Sequence, residues 1–330
     1  MKLQRRAALR TLATLTLAAC AAMLCAPASA QIADGRPIKL VVPYLPGGVT
    51  DVMARQFAQV LGDKLKQTVL VENKPGGNTV IATQYVAGAT ADGTTLFFTD
   101  LSLLSYNASL YKQVPYDLAR DFVLLSSVAE IPLALAVNSQ VPPSTMKDFV
   151  AYAKANPGKL NYATTAIGGL PHLGMENLKA ATGIDLVHVP YKGASDAIKD
   201  MLGGQVQVMF NDVSTSSQYV AAGKMKVLAM SGSRRAQKLP DVPTFAELGY
   251  DNLNVRALMG IVAPVKTPRA VVDKLTAAIR EAAATPQISE YLQTNNLGAN
   301  VTSGADLKTL MDSESHKWRD LVKKLNLSFD

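Results

Sequence analysis

The chain has 330 residues, with 33 Lys and Arg against 26 Asp and Glu, for a formal charge of +7. Lys2, Arg5, Arg6 and Arg10 lie in the first thirty residues, which hold no acid, so the remaining 300 carry only +3. That small, unclustered surplus gives no support to nucleic-acid binding. Both cysteines, Cys20 and Cys25, sit in the same opening stretch, which excludes disulfides, thiol catalysis and thiolate metal sites from the rest.

The opening stretch reads as a targeting signal: a basic start, an apolar run from Leu12 to Leu24, and Ala28-Ser29-Ala30 before Gln31. Cleavage after Ala30 is expected; Leu17-Ala18-Ala19-Cys20 also fits a lipobox that would anchor the chain at Cys20. No later apolar run approaches the ~20 residues of a bilayer span. Three hundred residues exceed the usual single core, so two lobes are expected.

Ile38 to Val42 is an apolar run of strand length, stopped by Pro43-Tyr44-Leu45-Pro46-Gly47-Gly48. Thr50 or Asp51 then caps a predicted helix whose Ala54, Phe57, Ala58, Leu61 and Leu65 recur at the spacing of one buried face. A strand passing through a glycine turn into a helix leaves unpaired N–H groups at the positive end of the helix dipole, a ready anion site. Thr68 to Glu72 is a second strand, Thr79 to Val86 a helix, and Thr94 to Phe98 a third strand, a βαβαβ alternation that argues for a parallel sheet. Phe122 to Val128 and Pro132 to Val137 read as two apolar runs, with Glu130-Ile131-Pro132 a crossing between lobes.

A second βα series follows. Ser144 or Thr145 caps a helix through Ala153, Leu160 to Thr164 is a strand, and Thr165-Ala166-Ile167-Gly168-Gly169 turns into a helix from Leu173 to Thr182. The first device thus recurs about 120 residues downstream. Asp185 to Val189 is a strand, Pro190-Tyr191-Lys192-Gly193 turns into a helix stopped by Gly203, and Val206 to Phe210 and Met225 to Met230 complete a second sheet. Val255 to Val262 is apolar again, Thr267-Pro268 starts a helix, and a last amphipathic helix carries Leu307, Met311, Trp318, Val322 and Leu325. Residues 31–130 with 255–330 are assigned to one lobe, which takes the tail, and 131–254 to the other. Two glycine turns facing one cleft could grip one small anion. At ~1.5–3 kcal/mol per charged hydrogen bond, three or four leave the roughly −8 kcal/mol of a micromolar ligand after entropy and desolvation.

The histidines, His172, His188 and His316, lie on separate elements without metal-site spacing. His172 is placed either to help the second turn or to cap its helix, His188 to sit in the core, and His316 on a solvated face. Tyr191 either reaches the cleft or packs on Pro190. No nucleophile elbow, Walker A sequence or dinucleotide fingerprint is present. Catalysis would need a constellation such as Asp51, His172 and a nearby hydroxyl, so no enzyme activity and no cofactor are expected. With one tryptophan and 6% aromatics, a stacking sugar site is disfavoured.

The stretches PIKLVVPYLPGGVTDVMAR, VLVENKPGG, LNYATTAIGGLPHL, VHVPYKGASDAIKDMLGGQVQVMF and KLPDVPTFAELG, in this order, resemble the Bug (TctC) family of periplasmic receptors of tripartite tricarboxylate transporters. The resemblance runs from about Pro37 to the C-terminus. It implies a two-lobed type II periplasmic-binding-protein fold, each lobe a mostly parallel sheet flanked by helices, with two crossings as a hinge. It implies a receptor in the periplasm, a small organic acid (a carboxylate or dicarboxylate) as ligand, and the transporter's membrane components as partners; a monomer is expected, and a zwitterionic amino acid or an aromatic carboxylate is the alternative ligand. Carried over by position, the site comprises Tyr44, Gly47, Gly48, Val49, Thr50 and Asp51, then Thr99, then Thr165, Ala166, Ile167, Gly168 and Gly169, with Asp212 at the cleft edge. Two departures stand out. Pro75-Gly76-Gly77-Asn78 is shorter than the family's usual turn, and Asp100 stands where a small neutral residue is usual. Facing a cleft, Asp100 would favour a ligand with an amino or hydroxyl group, such as a zwitterionic amino acid; otherwise it is a loop aspartate or a helix cap.

Overall fold

The computed structural model describes residues 32, 35–110, 114–232, 234–253 and 255–324; the predicted signal segment and Leu325 lie outside them. The first apolar run forms β1 (Ile38–Val42), followed by α1 (Val49–Leu65), β2 (Val69–Asn73), α2 (Val80–Ala87) and β3 (Thr95–Asp100). β1 pairs in parallel with β2 on one side and β3 on the other. α1 covers this sheet with Met53, Ala54, Phe57 and Leu61, all buried, and the Phe57 ring lies 5.9 Å from that of Phe98. The helix starts earlier than its polar residues suggest. Gly48, not Thr50 or Asp51, is the N-cap, and no side chain caps it.

After α3 (Leu101–Leu110) and the short α4 (Leu118–Asp121), the two predicted apolar runs are a single strand, β4 (Phe122–Asn138). Pro132 does not break it because the ladder changes partner there. Pro132 is the last residue paired with β9 (Arg256–Pro264), and Leu133 is the first paired with β7 (Val208–Asp212). A residue at that junction can dispense with a ladder N–H, where a proline inside one sheet could not.

The second series gives α5 (Met146–Ala155), β5 (Asn161–Thr164), α6 (Leu170–Thr182), β6 (Val187–Pro190), α7 (Ala194–Leu202), β7, α8 (Val213–Ala221) and β8 (Met225–Met230). β9, α9 (Arg269–Ala283), α10 (Pro286–Thr294), β10 (Gly298–Ala299) and α11 (Gly304–Lys324) complete the described chain. Thr145 caps α5, its side chain accepting from the Asp148 amide. Pro268 is the N-cap of α9 rather than its first residue, and the Thr267 hydroxyl instead donates to the Pro264 carbonyl at 2.7 Å.

The two halves share one order. The first sheet runs β2-β1-β3-β9-β4, and the second runs β6-β5-β7-β4-β8. In each, three parallel strands are followed by two strands alternating in direction. β4 belongs to both. α11 also bridges them: Leu307 and Met311 pack with Val41, Phe97 and Val262 of the first sheet. Trp318 and Val322 pack with Leu133 and Phe210 of the second. Among the described residues no helix is long and apolar enough to cross a membrane.

Candidate functional site: two glycine turns at converging strand ends

Strand register fixes where the loops meet. Asp100 at the end of β3 pairs with Met259 of β9, which pairs with Ala129 of β4. Asp212 at the end of β7 pairs with Leu133 of β4. β3 runs the same way as β4 and β7 runs against it, so the carboxyl ends of the two parallel sets point toward each other. Their levels are four residues apart on β4, about 13 Å at the usual strand rise. Ligands of open α/β sheets bind outside the carboxyl ends of the strands. Both glycine turns leave such ends, the first from β1 and the second from β5.

The turns are built alike. Gly47 has φ +90° and Gly168 φ +74°, a left-handed backbone that glycine adopts without a Cβ clash. The next glycine is the helix N-cap in each case: Gly48 at φ −75°, ψ 166° and Gly169 at φ −71°, ψ 165°. The residue four after the left-handed glycine then folds back onto it. Asp51 Oδ2 accepts the Gly47 amide at 2.9 Å, and His172 Nδ1 accepts the Gly168 amide at 3.1 Å.

These contacts correct the expected roles of Gly47, Gly168, Gly169 and Asp51. The Gly47 and Gly168 amides are engaged inside their own turns, and the Gly169 amide donates to the Ala166 carbonyl at 3.2 Å. Asp51 is buried and receives a two-pronged bond from Arg55, Nε at 3.0 Å and Nη2 at 2.9 Å. Asn73 Nδ2 adds a third donor at 2.8 Å and also reaches the Tyr44 carbonyl at 2.9 Å. Burial pushes the Asp51 carboxyl up, but the Arg55, Gly47 and Asn73 bonds outweigh it and hold it below its ordinary value. Asp51 is therefore the peg of the first turn, with its charge already matched. What remains at the helix start are the amides of Gly48, Val49 and Thr50; as N-cap and first-turn donors they have no intrahelical acceptor. At the second turn Pro171 has no N–H, which leaves the amides of Ala166, Ile167 and Leu170 beside the helix dipole.

Of the other expected site residues, Asp100, Tyr191 and Asp212 make side-chain bonds within the fold and Thr99 does not. Thr99 is fully buried opposite Gly260, and its hydroxyl has no partner among the described residues. Asp100 is buried, with Oδ1 accepting from the Ser102 amide at 2.9 Å and the Leu258 amide at 3.1 Å. Through these two amides it ties the start of α3 to β9. Burial lifts its carboxyl to about 7 against those amides. Burial and the Asp100 carboxylate together raise the half-buried Tyr44 phenol above its usual range. Tyr191 donates its hydroxyl to Asp200 on α7 at 2.7 Å, and burial and that bond push it up to about 12. Asp212 caps α8 by accepting the Thr215 amide at 2.7 Å.

Sequence reasoning missed Arg55, Asn73 and the partnership of His172 with His188. Arg55 was legible as the residue four after Asp51 on a helix. The histidines, on α6 and β6, gave no such signal. His316 is exposed, its Nδ1 2.6 Å from the Asp312 carbonyl. A cavity of about 600 Å³ is lined by Glu130, Arg234 and Gly298 among others, and by no residue of either turn. Among the described residues no group of three His, Cys, Asp or Glu could hold a metal ion.

The α/β chain, with one strand shared by two like-ordered sheets and a glycine turn at each facing end, has the architecture of the solute-binding receptors of the periplasmic-binding-protein class. Residues 53–327 match the model of the family described as "Tripartite tricarboxylate transporter family receptor", and the chain belongs to that family. Similar solved structures include the following three. The periplasmic binding protein BugD is 33% identical with a TM-score of 0.77, over 89% of this chain and 99% of that one. Rpa4515 of R. palustris with adipate is 28% identical with a TM-score of 0.80, over 89% and 99%. MatC of Rhodopseudomonas palustris with bound malate is 28% identical with a TM-score of 0.74, over 87% and 99%. The family is made of receptors, not enzymes.

Proposed function

We propose that the chain captures a small carboxylate or dicarboxylate in a cleft between two lobes, 31–130 with 255–330 and 131–254, for delivery to the membrane components of a tripartite tricarboxylate transporter. The observation that carries this reading is the repeated turn: two left-handed glycines, two glycine N-caps and two helix dipoles at strand ends that converge on residues 129–133 of β4. Gly48, Val49 and Thr50 offer amides to one carboxylate. Ala166, Ile167 and Leu170 offer them to the second carboxylate or to the body of the acid. The adipate and malate bound to two similar receptors are both dicarboxylates.

The amino-acid alternative would need Asp100 or Asp212 to receive the ammonium group. Each already accepts at least one backbone amide on Oδ1, which favours the plain acid. Export by the opening segment with cleavage after Ala30, and a monomeric receptor closing as a hinge, complete the proposal. A thermal-shift screen of C3 to C6 dicarboxylates, hydroxy acids, amino acids and sugars tests it. An acid at ~100 times its dissociation constant should add about 2.7 kcal/mol of stability. Stabilisation by sugars or cationic amines, and by no acid, would refute it.

A further inference from the structure

We propose that His172 is a positioning residue whose uncharged imidazole holds the second glycine turn in shape, with His188 stacked on it, so that the turn loosens when the pair takes up a proton. The inference rests on the reading of that turn as half of the carboxylate site. Its geometry is specific. The Gly168 amide donates to His172 Nδ1, so Nδ1 must present a lone pair and the neutral ring must carry its hydrogen on Nε2. A proton on Nδ1 would set N–H against N–H and remove the bond that His172 makes to the left-handed Gly168.

The surroundings oppose that proton. The rings of His172 and His188 stack at 4.2 Å and 15°, and Tyr162 of β5 stacks on His188 at 4.8 Å and 17°. His188 Nε2 lies 2.6 Å from the Thr164 hydroxyl, on the strand that enters the turn. The charged groups nearby come from α6 itself. Glu176 accepts the Tyr162 hydroxyl at 2.6 Å and pairs with Lys179 at 2.9 Å, so its pull toward protonation is largely answered by the lysine. Burial, then the neighbouring His188, press His172 down to about 4, and Lys179 adds to this against Glu176. Burial lowers His188 as well.

The two turns therefore differ in what their peg can tolerate. The first hangs on a carboxylate matched by Arg55, which keeps its lone pairs at any pH above the ordinary carboxylate range. The second hangs on a neutral base, so acidification undoes it from the imidazole side.

The experiment is a pH titration from 7.5 to 3.5 followed by two-dimensional amide NMR on the ligand-free protein, wild type beside His172→Asn and His188→Asn. In the wild type the Gly168 resonance should move in one step near pH 4, together with the His172 ring. Asparagine at 172 cannot titrate, so that step should vanish there. His188→Asn should move the step upward, because the second imidazole no longer opposes the proton. A Gly168 resonance that is flat in the wild type, or that moves equally in His172→Asn, overturns the inference. Adipate and malate affinities form a separate arm. The ratio of wild-type to His172→Asn affinity should fall by about half at the His172 midpoint, which cancels the titration of the acids themselves. A ratio that stays constant also overturns the inference. If neither acid binds at pH 7 while Gly168 follows His172, the carboxylate reading fails and the peg role stands.

Discussion

Asp51 and His172 occupy the same place in two different helices: each is the fourth residue after a left-handed glycine and each accepts that glycine's amide, at 2.9 and 3.1 Å. In each turn that acceptor is engaged inside its own loop. On the proposed reading, each fixes the loop that carries the following amides, which would lower the ordering cost of binding. Removing the Asp51 peg should be costly even without ligand. Asp51→Ala leaves the Gly47 amide and Asn73 without their acceptor and should lose about 2–4 kcal/mol of unfolding free energy in urea. Arg55→Ala, at a half-exposed guanidinium, should lose about 1 kcal/mol or less. Equal losses for the two would contradict the peg role.

Acid stability carries the signature of the histidine pair. His172 is lowered from 6.5 to about 4 in the folded protein, and His188 is lowered too. Between those values the unfolded chain binds protons that the folded one refuses, so stability is full above about 6.5 and declines as pH falls toward 4. Urea midpoints measured from pH 7 to 4 should show this slope in the wild type and a shallower one in His172→Asn.

Asp100 predicts the opposite slope. Its carboxyl is raised from 3.8 to about 7 by burial, so the folded state keeps a proton that the unfolded state has released in that window. Stability falls as pH rises through it, by at most about 1.4 kcal/mol per pH unit. Asn at this position retains an oxygen for the Ser102 and Leu258 amides and has no proton to lose. The melting-temperature difference, Asp100→Asn minus wild type, should grow from pH 5 to pH 8; a constant difference would count against this account of Asp100.

Gly260 makes the junction of the first sheet possible. A Cβ there would lie 2.4 Å from Leu101 Cδ1 and 2.8 Å from the Ser126 carbonyl oxygen, and the second is backbone that cannot swing aside. Gly260→Ala should cost about 1–3 kcal/mol, read by chemical denaturation, with Gly88→Ala as a near-neutral comparison because it has a right-handed φ of −86° and its nearest atom is an ordinary 3.5 Å away.

Much of this arrangement is legible in the chain because local chemistry and global fold agree. Ile38 to Val42, Met225 to Met230 and both glycine turns are strand or turn at the residues where apolar runs and Gly-Gly pairs place them. The fold class follows from the βα alternation and the ordered motifs. Other features depend on partners distant in sequence. Glu130-Ile131-Pro132 looks like a break until β9 hands β4 over to β7 at Pro132. Thr99 and Asp100 look like cleft residues until β9 and α3 enclose them. His172 and His188 meet only because β5 and β6 pair side by side, which puts His188 opposite Tyr162. The sequence places the two glycine turns but not which of their amides are already engaged.

The most direct test is a crystal structure with the dicarboxylate that the thermal-shift screen selects. One carboxylate should lie within hydrogen-bond distance of the Val49 and Thr50 amides, and the acid should extend to the Ala166–Leu170 turn, with Asp51 and His172 still holding their glycines. An acid seated instead in the cavity beside Glu130 and Arg234, or clamped by side-chain cations with both glycine turns empty, would contradict the account.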